Sequence, residues 1–317
     1  MFHNKVANQL RRLRSRLGSL RRATLSQSKN TFRPYWSIGI YTGTSPLHIS
    51  DAAESCNPVL THEAVSDVRA RSLADPFMIR TDGRWYMFFE VWNTVAQRGQ
   101  IGLATSDDTT HWEYRHIVLA EPFHLSYPCT FEWKNEYYMI PESHEAQSIR
   151  LYKAKKFPDR WSFECPLIEG SMFSDPSVVH YAGKWWIFAQ TNSQQRFDTL
   201  RLFFSEDLRG PWQEHPMSPI VNGNNRMARP AGRIQVINGN LIRFAQDCYP
   251  AYGTGVRAFI ITELSTTKYR ERECRESPIL GPSGAGWNQS GMHHVDLHDT
   301  GNGKWVACVD GFQMKAL

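Results

Sequence analysis

Leu73-Ala-Asp-Pro-Phe-Met-Ile-Arg-Thr-Asp-Gly-Arg-Trp-Tyr-Met-Phe-Phe-Glu90 reads as two strands joined by a tight turn. Asp82-Gly83 lies between apolar runs, and both positions of such a turn need positive φ. The pattern returns four times. The copies are Tyr127-Pro-Cys with Asn135 and Glu142, Asp175-Pro-Ser with Gly183 and Gln190, Arg229-Pro-Ala-Gly with Gly239 and Gln246, and His293-His-Val-Asp with Gly303 and Asp310. In each, the turn residue lies seven positions before the closing polar residue, and successive turns are 52, 48, 56 and 64 residues apart. An imperfect all-strand repeat of this period is a propeller blade. Five copies predict an all-β, five-bladed β-propeller.

A further strand follows the first four hairpins, over 100–106, 148–154, 198–205 and 255–263. The fifth hairpin has no room for one before Leu317. The similar stretch 35–42 is therefore expected to supply it and close the last blade with an N-terminal strand, leaving no open edge. Trp112, Trp161 and Trp212 recur beyond these strands, as does Tyr269, and are expected to pack under the blade rims. The connections 51–72 and 275–292 are long enough to be functional.

Residues 1–31 stand apart as a basic extension ahead of the propeller at 32–317. The first 30 residues carry eight Lys and Arg and no acid, leaving the remainder at −3 of a total of +5. The globular part is thus a poor nucleic-acid binder. Val6, Leu10, Leu13, Leu17 and Leu20 make a narrow apolar stripe on a helix. This helical extension fits a membrane-surface helix, a transit peptide or a tether to a biosynthetic partner. Six cysteines without metal spacing read as reduced thiols, which favours a cytoplasmic setting with peripheral membrane attachment left open.

The innermost strands of a propeller line its channel, so equivalent positions of five blades converge at one mouth. Those positions hold Asp75, Tyr127, Asp175, Arg229 and His293-His294, and the strand ends add Glu90, Glu142, Gln190, Gln246-Asp247 and Asp310. Acids clustered with arginine and histidine suit a polar ligand, and paired carboxyls suit glycosidic chemistry. Simpler readings stand beside these. Asp-Pro also caps turns, strand-end polar residues also bridge blades, and Arg229 and Arg233 also pair with structural acids. His293, His294, Asp296 and His298 lack a consistent ligand pattern, so no metal is expected, and no cofactor motif is present.

Ala74-Asp75-Pro76-Phe followed by Asp82-Gly83-Arg-Trp-Tyr resembles the first blade of the arabinanase, xylosidase and invertase clan of glycoside hydrolases. Ala74–Glu90, Tyr137-Tyr-Met-Ile-Pro-Glu-Ser143, Arg229-Pro-Ala-Gly-Arg233 and Arg243-Phe-Ala-Gln-Asp-Cys248 more closely resemble another group. That group is the N-terminal propeller domain of glucosamine inositolphosphorylceramide transferases and its bacterial glycan-biosynthesis relatives. The hydrolase resemblance implies that Asp75 is base or nucleophile. The second blade has Tyr127-Pro-Cys129 where an Asp is expected and the third has Asp175 instead of Glu, so the other two roles are unassigned by motif.

The expected function is work at a glycosidic centre, as glycosyl transfer in surface glycan or glycolipid assembly. A non-catalytic glycan-binding propeller and a furanosidase-type hydrolase are the alternatives. Asp75, Glu142 and Asp175 form the candidate catalytic set, with Asp75 as base or nucleophile and Glu142 as acid. Glu90, Tyr127, Gln190, Arg229, Arg233, Gln246, Asp247, His293 and His294 are the candidate binding residues for a sugar or glycan.

Overall fold

A computed structural model describes residues 32–316 except 53, 55 and 192–195. The predicted extension over 1–31, with its helix, lies outside the described residues. One compact unit spans Pro34–Gln313; Phe32–Arg33 and Met314–Ala316 are the described parts of a second.

The five antiparallel sheets are the five expected blades. Blade 1 runs outward through Ala70–Thr81, Arg84–Asn93, Arg98–Ser106 and Glu113–Leu119; blade 2 through Ser126–Trp133, Glu136–Glu142, Ser148–Lys156 and Arg160–Glu169. Blade 3 runs through Phe173–Tyr181, Lys184–Thr191, Thr199–Ser205 and Gln213–Glu214, with Val221–Asn222 also on its third strand. Blade 4 uses Gln235–Ile237, Asn240–Asp247, Gly255–Leu264 and Tyr269–Glu273. Blade 5 is Val295–Gly301, Lys304–Ala316, Phe32–Ser45 and His48–Asp51. The N-terminal strand thus closes the ring as its third strand, somewhat longer than the predicted 35–42.

The second strands are apolar on both faces because each blade is packed on both sides. Successive side chains point opposite ways, so one run serves two interfaces. Met87 and Phe89 join Ile38, Ile40 and Cys308 toward blade 5, while Phe88 between them joins Met139 and Tyr152 toward blade 2. Ile187 and Ala189 likewise face blade 2, and Trp186 and Phe188 face blade 4. Each fully buried aromatic of this kind contributes about 1.5–3 kcal/mol.

All five hairpin turns have positive φ at both central residues: Asp82-Gly83, Lys134-Asn135, Ala182-Gly183, Asn238-Gly239 and Asn302-Gly303. The rim tryptophans are packing residues that also cap their own turns. Trp112 donates its indole N–H to the Thr109 carbonyl at 2.8 Å, Trp161 to Pro158 at 2.9 Å and Trp212 to Leu208 at 3.2 Å. The long connections brace blade 5. Asn57 bonds both Ile40 backbone groups at 2.8 Å. Trp287 lies over Gly39 and Gly311, where a Cβ would come within 2.6 and 2.9 Å of its ring.

Candidate functional site

The inner strands of blades 1–3 break their ladders at one repeat position. Register shifts fall at Ala74/Phe77, Ser126/Cys129 and Ser174/Ser177. Pro76, Pro128 and Pro176 have no N–H for the ladder. The residue before each proline takes positive φ: Asp75 at 53°, Tyr127 at 46° and Asp175 at 49°. Non-glycine residues in that region are strained, and such strain gathers at functional sites.

Neighbouring blades hold the bulges. The Asp75 N–H donates to Asp310 Oδ2 at 3.0 Å, and the Asp175 N–H donates to Glu142 Oε2 at 3.1 Å. Asp310 Oδ1 also accepts the N–H groups of His293 and His294 at 3.1 and 3.0 Å and lies 2.8 Å from His293 Nδ1. Burial opposes ionisation of Asp310, but the His293 charge and these donors hold it below the usual carboxylate range. His293 is raised, since its attraction to Asp310 outweighs the burial that would lower it.

A pocket of about 230 Å³ opens at this mouth. Of the predicted site residues, Asp75, Glu90, Glu142, Arg229 and His293 line it. Asp75 is 5% exposed, and its Oδ1 has no hydrogen-bond partner among the described residues. His293 Nε2 and His294 Nδ1 stand 3.9 and 3.8 Å from that oxygen. Burial raises the Asp75 carboxyl well above its ordinary value, with the His293 charge opposing. Glu90 is pushed up to about 8, first by burial and then by the charges of Glu142, Asp175 and Asp310. Glu142 behaves oppositely. Burial would raise it, but the bond to His144 Nδ1 at 2.6 Å and the Arg229 charge hold it well below the usual range. Glu142 is thus held toward its carboxylate form and Glu90 toward its protonated form.

Asp175 and Gln246 sit behind this wall. Asp175 takes Arg229 Nε at 2.6 Å and Nη2 at 3.3 Å, plus the Gln246 amide at 2.7 Å. Burial raises its carboxyl and Arg229 opposes. Tyr127, Arg233 and His294 belong to the channel. The Tyr127 hydroxyl lies 2.7 Å from Ser177 Oγ and accepts the Gly232 N–H at 2.6 Å. Arg233 pairs with Asp296 at 2.8 Å, and Asp296 also meets His298 at 3.0 Å. His294 is fully buried between Phe77 and Tyr127, with Nδ1 3.8 Å from Asp75 Oδ1, and burial lowers it to about 4. Gln190 donates to the neighbouring Thr191 carbonyl, and Asp247 pairs with Arg257 at 2.7 Å; neither lines the pocket.

Asp75, His293 and Asp310 each present a ligand atom within 4.8 Å of the others, the one such trio among the described residues. This differs from the His293, His294, Asp296 and His298 grouping weighed from sequence, because Asp296 and His298 are engaged with each other and Arg233.

Sequence reading missed Trp36, Arg71, Trp92, His124, Ser126 and Tyr252, which also line the pocket. Trp36 stacks on His293 with ring centroids 4.0 Å apart, and Tyr252 meets the same ring edge-on at 5.1 Å. Trp92 had a signal: it lies two residues beyond Glu90 on one strand, hence on the same face. Trp36 had none.

Residues 29–312 match the family model described as Glucosamine inositolphosphorylceramide transferase 1, N-terminal. The chain belongs to this family. Its relatives include Glucosamine inositolphosphorylceramide transferase 1 of Oryza sativa subsp. japonica, 35% identical over 87% of this chain and 40% of that protein. The Arabidopsis thaliana family member is 33% identical over 87% and 39%. The chain thus spans about two fifths of the length of these relatives. Among solved structures, the catalytic domain of a Coprinopsis cinerea α-L-arabinofuranosidase superposes with a TM-score of 0.57, covering 86% of each chain at 14% identity. That likeness shows the family's fold alone.

Proposed function

We propose that the mouth of this propeller takes a carbohydrate and works at its glycosidic centre, in the assembly of a glycan or glycolipid. The observation that carries the reading is Asp75: a buried carboxyl in a strained backbone, with one oxygen unpartnered beside the pocket. Glu90, lining the same pocket and protonated at neutral pH, is the general acid that donates to the leaving oxygen. Burial raises the Asp75 carboxyl as well, and the His293 charge 3.9 Å away is what favours its ionised form for the step. Asp75 then attacks the anomeric carbon or takes a proton from the acceptor. Glu142 and Asp175 act as positioning residues through Arg229. The names of the plant relatives, both glucosamine inositolphosphorylceramide transferases, support transfer over hydrolysis.

A second reading is a glycan-binding propeller without turnover. It is favoured by the use of Glu142 and Asp310 as acceptors for bulge N–H groups. The test is turnover of a panel of aryl glycosides and nucleotide sugars, followed by mass spectrometry, with Asp75→Asn and Glu90→Gln beside the wild type. Product that disappears in both variants supports catalysis. No product, but glycan binding that Asp75→Asn weakens, makes the pocket a receptor. Binding and turnover untouched by Asp75→Asn sinks both readings.

A further inference from the structure

Four buried or half-buried arginines of this propeller are matched to acids. Arg229 pairs with Asp175, Arg233 with Asp296, Arg243 with Glu271 and Arg257 with Asp247. Arg71 is different. It lines the pocket, yet its guanidinium makes no ion pair or hydrogen bond with any described residue, and its Nε is buried without a partner. It is held by stacking: its guanidinium carbon lies 5.0 Å from the centre of the Trp92 ring. His124 meets the same indole, with ring centroids 5.7 Å apart. His124 Nδ1 accepts the Gly99 N–H at 2.9 Å, so its proton sits on Nε2, which is a donor. Burial lowers the ring's pKa and keeps it in this neutral form. Ser126 adds a hydroxyl to the lining of the same pocket. The pocket lining therefore offers a guanidinium fork with no acceptor among the described residues, an imidazole N–H that lies 3.9 Å from Glu90 Oε1, and a hydroxyl.

We infer that this Arg71–His124–Ser126 wall is a receptor for an oxyanion, either a phosphate ester or a carboxylate, carried by the carbohydrate. The inference deepens the proposed function and rests on it for the carbohydrate. A guanidinium with nothing else to bind recognises such groups through two parallel N–H bonds. Trp92 fixes the fork before the ligand arrives, so little side-chain freedom is lost on binding. Of the two glutamates lining the pocket, Glu90 carries its proton at neutral pH and so does not repel an anion, and the Glu142 charge is matched by Arg229 and His144.

The test is calorimetric titration of the full chain with glucose 1-phosphate, methyl glucuronide and neutral methyl glucoside. The proteins are wild type, Arg71→Ala, Arg71→Lys and Asp75→Asn. At least one charged probe should bind the wild type more tightly than methyl glucoside. That probe should lose about tenfold or more in Arg71→Ala and recover part of the loss in Arg71→Lys, while methyl glucoside binding stays unchanged. A response to glucose 1-phosphate alone assigns a phosphate ester, and to the glucuronide alone a carboxylate. Thermal unfolding should move only slightly in Arg71→Ala, since the stacking contact with Trp92 is lost but no ion pair or hydrogen bond is. Equal affinity of a charged probe for wild type and Arg71→Ala overturns the inference, as does failure of both charged probes to bind better than methyl glucoside. Methyl glucoside binding that survives Asp75→Asn counts against the proposed function and leaves the Arg71 result to stand alone.

Discussion

Glu90 lies within the strand Arg84–Asn93, and the charges of Glu142, Asp175 and Asp310 add to burial in raising it to about 8. The folded chain therefore keeps a proton that the unfolded chain releases near 4.5. With more protons bound in the folded state, stability is greatest below the unfolded value and falls as pH rises through about 8. Glu90→Gln removes this loss. Urea unfolding at about pH 5 and about pH 9 should show the variant gaining on the wild type by ~2 kcal/mol or more at the higher pH. A gap that does not widen with pH would mean that Glu90 titrates normally. Turnover by the wild type should fall over the same range, as the acid loses its proton. Arg229 and Arg71 make a second comparison, because both are guanidinium groups lining one pocket. Arg229→Ala strands the buried Asp175 carboxylate and should cost about 3–5 kcal/mol of stability. Arg71→Ala breaks no pair and should cost little, which chemical denaturation of both variants measures directly.

At the scale of the strand and turn, the sequence was informative wherever the cause is local. Asx-Gly at 82–83, 238–239 and 302–303 announces a turn because both residues must take positive φ. Lys134-Asn135 and Ala182-Gly183 carry a weaker local signal, and spacing within the repeat identified them. The bulges at Asp75, Tyr127 and Asp175 were legible as a repeated position but not as a backbone conformation. The acceptors of the Asp75 and Asp175 N–H groups lie on other blades: Asp310 is 235 residues from Asp75 in sequence. The same distance hid the contrast between Glu90 and Glu142. Both occupy the same repeat position on a second strand, and the contrast comes from His144 and Arg229, which hold Glu142 down. Ala182 tests the local part of the argument. It holds φ 51° without the side-chain hydrogen bonding that lets Asn or Asp tolerate that region. Ala182→Gly should relieve this and raise stability by about 0.5–1 kcal/mol, read as a shift in the denaturation midpoint. A loss instead would show that the unfolded chain's added freedom outweighs the strain.

For the molecule as a whole, the decisive contact is between the two ends of the propeller. Phe32–Ser45 lies between Lys304–Ala316 and His48–Asp51 in blade 5, and it carries Trp36 onto His293 in the pocket. Closure and site assembly are therefore one event. Without this strand, Lys304–Ala316 presents an unpaired edge and Ile38 and Ile40 leave the interface shared with Met87 and Phe89. Two truncations separate the roles of the N-terminal region. Removing residues 1–31 should leave the unfolding transition and glycan binding in place, and co-sedimentation with anionic vesicles before and after that cut tests the membrane reading of the basic extension. Removing residues 1–45 should abolish the cooperative transition and ligand binding together. Because the missing piece is a strand with its hydrogen-bonding edges waiting on both sides, a synthetic 32–45 peptide added in trans should restore both. A Trp36→Ala version of that peptide should restore folding but not binding. If the 1–45 truncation unfolds cooperatively with the wild-type midpoint, blade 5 does not need its third strand and the coupling of closure to the site is wrong.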